Sequence, residues 1–198
     1  MNPQTYIFIG PSGSGKGTQA ALLMEYLKKA DPAGPDIFYL ETGNKFREFI
    51  KLPNHTSELS YNIYKSGKRQ PDFLAVHLWA HIFIESFTGR EHLVLDGTPR
   101  SLHEAQVLAT AMEFYNRQKP TVIYVKVSRE WATTRLHERK RIDDLKPEEV
   151  TKRLDWFDTD VLPAVEYFKS NPLFTVLEIN GEQTIEQVHA DMIAGITR

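Results

Sequence analysis

The chain has 198 residues, a formal net charge of −2 and 41% hydrophobic residues, the profile of one compact α/β-sized domain. That balance excludes a disordered or fibrous chain and gives no overall attraction to nucleic acid or to acidic membrane surfaces. It contains no cysteine, so disulfides, thiolate chemistry and a cysteine-held zinc are excluded as well.

Met1–Gly13 has neither the basic start nor the apolar length of a signal peptide, and no apolar run approaches the roughly 18 residues of a membrane span. A cytoplasmic location away from membranes is therefore expected. Short apolar runs then alternate with longer helical ones. A strand is predicted at Tyr6–Gly10, followed by a helix from Gly15 to about Lys29 that buries Ala20, Leu23 and Leu27. The second strand, Ile37–Leu40, precedes helices near Gly43–Ile50, Ser57–Lys65 and Asp72–Phe87. Strands at His92–Gly97, Thr121–Val127 and Phe174–Asn180 follow, separated by helices near Ser101–Gln118, Glu130–Arg139 and Pro147–Lys169. A helix at Thr184–Ile196 closes the chain. Such alternation predicts a five-stranded, mostly parallel sheet with helices on both faces. The long gap before His92 and the charge-dense arm around Arg129–Lys169 read as inserts on one domain.

The chemistry begins in "GPSGSGKGTQA", Gly10–Ala20. Glycines between a buried strand and an amphipathic helix aim backbone N–H groups at an anion on the helix N-terminus. Lys16 can then reach the terminal phosphates of a nucleotide. Yet Gly17, not Ser or Thr, follows the lysine, so the usual P-loop ending is displaced by one residue.

That Lys-Gly-Thr ending resembles the loop of the adenylate kinase family of nucleoside monophosphate kinases. The resemblance extends through three more segments in order. "ETGNKFREF" is similar to the family's Thr-Gly-x-x-x-Arg, with Thr42, Gly43 and Arg47 in register; "LVLDGTPRS" matches Asp-Gly-x-Pro-Arg at Asp96, Gly97, Pro99 and Arg100. "RLHERKRIDD" with "TKRL" resembles the lid and its following arginine. The resemblance implies a P-loop NTPase-like fold with an insert at 42–72 that binds the nucleoside monophosphate (NMP), a very short lid at 136–147, and transfer from MgATP to an NMP.

Phosphoryl transfer between nucleotides needs many fixed positive donors, and arginine forks suit phosphate. The resemblance assigns catalysis to Lys16, Arg100, Arg139, Arg141 and Arg153. It assigns ATP binding to Gly13, Ser14, Gly15, Lys16, Gly17 and Thr18, with Arg135 stacked on the adenine. NMP binding falls to Thr42, Gly43, Arg47, Gly67, Gln70, Gly97, Arg100 and Glu104. Asp96 is expected to hold Mg²⁺ through water. Asp143 and Asp144 either orient the lid arginines or cap the helix near Pro147. A monomer using ATP and AMP, without zinc or nucleic acid, is expected.

Two departures stand out. Glu104 occupies the place of a glutamine that reads the acceptor adenine in most relatives. An ionised carboxylate only accepts, which suits the two N–H donors of guanine better. Arg69 and Gln70 likewise replace two aliphatic residues, so GMP or another base stands as the alternative to AMP, and a nucleotide-binding protein without turnover as the rival from another class. In the lid, only Lys140 separates Arg139 from Arg141. His77, His81 and Glu85 mimic a metal-binding spacing but are read as packed or satisfied, and Trp79, Trp131 and Trp156 as packing.

Overall fold

In the computed structural model, which describes residues 2–139 and 146–197, the central strands are the most completely buried segments. β1 (Thr5–Ile9) and β3 (His92–Asp96) are buried at every position, the pattern of parallel strands covered on both faces. They pair with β2 (Ile37–Glu41), β4 (Thr121–Lys126) and β5 (Thr175–Asn180) in a parallel sheet of order β2-β3-β1-β4-β5. This is the predicted P-loop NTPase-like architecture, with strand ends within a residue of those expected.

Two hydrophobic layers cover the sheet. One face packs Tyr6, Phe8 and Val94 against Leu23 of α1 (Lys16–Ala30) and Met192 of α9 (Ile185–Ile196). The other packs Ile7, Leu93 and Leu95 against α4 (Asp72–Ser86), α5 (Leu102–Phe114) and α8 (Leu162–Ser170). Each fully buried aliphatic side chain stabilises the fold by roughly 1.5–3 kcal/mol. α2 (Thr42–Phe49) and α3 (His55–Lys65) lie between β2 and α4, where Phe46 joins Leu74 and Ala75 in a small separate cluster.

Two predicted helices end differently. α5 stops at Phe114, short of Gln118, because Asn116 turns left-handed at φ 52°. The single helix expected over Pro147–Lys169 is α7 (Pro147–Trp156), a π-turn at Phe157–Val161, then α8. Pro163 has no N–H for the carbonyl one turn back, which favours that widening. α6 (Arg129–Arg139) runs as predicted. At the N-terminal end of the strands, buried Arg117 donates to Thr5 Oγ1 at 2.7 Å and to the carbonyls of Gln4, Gly89 and Glu91.

Candidate active site

Connections leaving β1 and β3 run to opposite sides of the sheet, and open α/β sheets bind ligands at such a switch point. Here the C-terminal strand ends open into a cavity of about 580 Å³. Its floor is the glycine loop: Gly13 to Thr18 all line it. Gly15 caps α1 at φ 87°, a backbone state that side-chain-bearing residues rarely adopt. Lys16 Nζ donates to the Pro11 carbonyl at 3.1 Å, folding the lysine over the loop. Gly17 has its own reason: a Cβ there would lie 3.1 Å from Asp96 Oδ2. The glycine that breaks the usual P-loop ending is what lets this carboxylate sit against the start of α1.

Asp96 ends β3 and is buried. Burial pushes its carboxyl pKa up, Lys16 opposes that shift and Glu41 reinforces it. Tyr39 Oη donates to Asp96 Oδ2 at 3.4 Å, and burial with these acidic neighbours raises the phenol. Asp96, Lys16 and Thr18 all line the cavity. The oxygens of Asp96 and Thr18 fit magnesium, which keeps waters and shares nucleotide phosphates. Among the described residues, no three His, Cys, Asp or Glu side chains gather to hold a metal by themselves.

Arg47, Arg100 and Arg153 line the cavity from three different segments. Arg100 is the most constrained: its Nε donates to the Gly97 carbonyl at 2.7 Å and its guanidinium lies over Trp156, 5.9 Å from the ring centroid. Arg47 Nη2 donates to Glu41 Oε1 at 2.8 Å. Arg153 is buried to 8% exposure. Arg135 lies 5.3 Å from the Trp131 ring centroid, and both line the cavity with Gln183 and Ile185 from the chain after β5. Gly43, Gly67, Gln70 and Gly97 also line the cavity.

Other expectations fail, each for a physical reason. Glu104 is 1% exposed and lies outside the cavity lining. Its carboxylate accepts from Thr98 Oγ1 and, at 2.7 Å, from the Arg100 backbone N–H. It therefore fastens the turn that carries Arg100, with nothing left to read a base. Ser101 Oγ accepts from the Glu104 backbone N–H at 3.1 Å, so the Ser-x-x-Glu pattern is a helix start. That capping signal was present in the sequence. Thr42 is also turned away from the cavity, its hydroxyl donating to the Gly97 carbonyl at 2.6 Å. Arg69 reaches Asp72 and Asp160. Gln70 spends its amide on Ser60, donating to the carbonyl and accepting from the hydroxyl, each at 2.9 Å.

Trp131 and Trp156, expected as packing, both line the cavity, whereas Trp79 is buried in the core as expected. His77 and His81 are exposed on α4, their rings stacked 5.7 Å apart, with His81 3.5 Å from Glu85. The buried residues of α4 lie on its other side: Leu74, Ala75, Trp79 and Phe83. Glu41 and Tyr39 enter the site without having been singled out, because their chemistry depends on strand register: Glu41 pairs with Asp96 across β2 and β3. The Arg139 side chain and all of Arg141, Asp143 and Asp144 lie outside the described residues.

Comparison with known proteins agrees with this geometry. The family described as "Adenylate kinase" matches residues 8–173. "Adenylate kinase 1" of Nostoc sp. (strain PCC 7120 / SAG 25.82 / UTEX 2576) is 29% identical over 188 residues, covering 95% of this chain and 96% of its own. An "Adenylate kinase" of Bacteroides fragilis is 28% identical, with 96% of each chain covered. One from Corynebacterium glutamicum (strain R) is 27% identical over 93% of this chain and 94% of its own. A family match spanning most of the sheet, with the glycine loop, Asp96 and three arginines around one cavity, leads to one conclusion: the chain belongs to the adenylate kinase family.

Proposed function

We propose that the protein transfers the terminal phosphoryl group of MgATP directly to AMP, giving two ADP. The observation that carries this reading is the convergence of Lys16, Arg47, Arg100 and Arg153 on one cavity. In its lining, Arg135 and Trp131 suit the ATP adenine, and Gly43, Gly67 and Gln70 suit the acceptor. An oxygen of the acceptor phosphate attacks the γ-phosphorus as the bond to the bridging β,γ-oxygen breaks. That oxygen is already anionic, so no general base is needed.

Lys16 and the loop N–H groups hold the donor phosphates. Arg47 and Arg100 hold the acceptor's phosphate, and Arg153 bridges to the transferring group with Arg139 and Arg141. Bound with ATP, magnesium supplies charge shielding at the β- and γ-phosphates, and Asp96 and Thr18 are the residues that would hold its shell. In this reading residues 42–72 are the NMP-binding insert, whose closure excludes water, and 136–147 the short lid. Action as a monomer in the cytoplasm, where both nucleotides are supplied, completes this reading.

The test is ADP formation with MgATP and each of AMP, GMP, CMP and UMP. AMP is expected to be the best acceptor; a higher kcat/KM for any other would reassign the enzyme. A second expectation concerns Trp131, which backs the guanidinium that stacks on ATP. Trp131→Leu should raise KM for MgATP by about two- to fivefold, the worth of an exposed cation–π contact, and leave KM for AMP unchanged. Equal changes in both constants would show that Trp131 supports the fold instead.

A further inference from the structure

A carboxylate stands where phosphate is to be collected. Glu41, at the end of β2, places Oε1 2.8 Å from Arg47 Nη2. Gly43 measures how closely the groups converge. A Cβ at that position would lie 3.3 Å from Arg100 Nη2, 3.4 Å from Arg47 Nη1 and 3.8 Å from Glu41 Oε1. Two guanidinium groups and one carboxylate thus crowd a single point on the cavity wall. Asp96, in strand register with Glu41, adds a second negative charge nearby. Glu41 is about one-third exposed at its side chain, so it can turn toward solvent without unfolding anything.

Resting on the function proposed above, we infer that Glu41 is a built-in anion that sets acceptor affinity. In the empty protein it occupies part of the charge that Arg47 offers. An incoming monophosphate must displace it, and the same carboxylate favours release of the product. Arginine forks a dianionic phosphate better than a single carboxylate, so the exchange favours a phosphorylated acceptor over a carboxylated one. Glu41 is a specificity-determining residue in this sense: it raises the charge threshold that an acceptor must meet. A residue that merely oriented Arg47 would have the opposite effect when removed.

That difference in sign is the test. Glu41→Gln keeps the shape and removes the charge; Glu41→Ser removes both. Both variants of the full chain are compared with wild type for KM of AMP, KM of MgATP and calorimetric affinity for inorganic phosphate alone. Both should lower KM for AMP by about three- to tenfold, a screened, partly exposed charge effect, while KM for MgATP moves less than twofold. Inorganic phosphate should bind tighter by a similar factor, and the gain should vanish in an Arg47→Ala background, as a double-mutant cycle requires. An unchanged or raised KM for AMP, or phosphate binding no tighter in Glu41→Gln, overturns the inference. Phosphate binding needs no turnover, so the inference is decided even if no monophosphate proves to be a substrate and the proposed function fails.

Discussion

Replacing Arg100 with alanine is expected to lower kcat/KM for AMP by about a thousandfold, with most of the loss in kcat. Arg100 is fixed before any substrate arrives. Its Nε is committed to the Gly97 carbonyl, its backbone N–H to Glu104 and its guanidinium face to Trp156. Its Nη2 lies beside Gly43 and Gly97, which line the cavity with it. Donors held this way need little reorganisation as charge develops on the transferring group. Arg100→Lys should recover no more than about a tenth of the activity, because an ammonium has neither the Nε anchor nor the planar fork. Steady-state ADP formation checks both variants. A loss below about tenfold for Arg100→Ala would remove the residue from the transfer step.

The second large effect is on stability. Glu104→Ala should cost about 2–4 kcal/mol in urea denaturation at neutral pH, since it strands the buried Thr98 hydroxyl and the Arg100 N–H and opens a void. Glu104→Gln should stay within about 1 kcal/mol of wild type, because its amide can accept from Arg100 and donate to Thr98. The two proteins differ in their response to pH. Burial raises the Glu104 carboxyl above its ordinary 4.5, with the Thr98 and Arg100 hydrogen bonds opposing. A raised acid contributes stability that is complete below 4.5 and is lost as pH climbs through the folded-state value. Relative to Glu104→Gln, wild type should therefore weaken as pH rises from about 4 through that range and level off above it. A flat difference across that range would show that Glu104 does not titrate in the folded protein. The AMP-to-GMP turnover ratio should be the same in both proteins, since Glu104 is buried outside the lining of the cavity.

Much of this was legible in the chain. The alternation of apolar runs with amphipathic helices located every strand, and the resemblance carried by the motifs picked out Lys16, Asp96, Arg47 and Arg100, residues that do share one cavity. Identity at a motif position did not reveal direction. Glu104 and Thr42 stand where acceptor-binding residues were expected, but each turns its polar atoms toward backbone and neighbouring side chains. For Glu104 the Ser101-x-x-Glu104 capping signal competed with the motif, and the helix start prevailed. Trp131 and Trp156 look like packing residues because helical periodicity does not tell a core from a cavity wall. Glu41 had no local signal at all. Its proximity to Asp96 comes from a strand pairing between residues 55 positions apart, and its partner Arg47 is brought back by the first turns of α2.

The segment just before α4 is tied to the opposite arm at more than one point. Trp156 Nε1 donates to the Gly67 carbonyl at 3.3 Å, and Arg69 reaches Asp160 in the π-turn at 3.3 Å while also gripping Asp72. These crosslinks make the acceptor-side jaw and the arm bearing Arg153 mechanically linked, so neither can swing far alone. Opening should then register as one shared exchange rate for amides on both sides, and cutting the tether at Asp160 should split it into two.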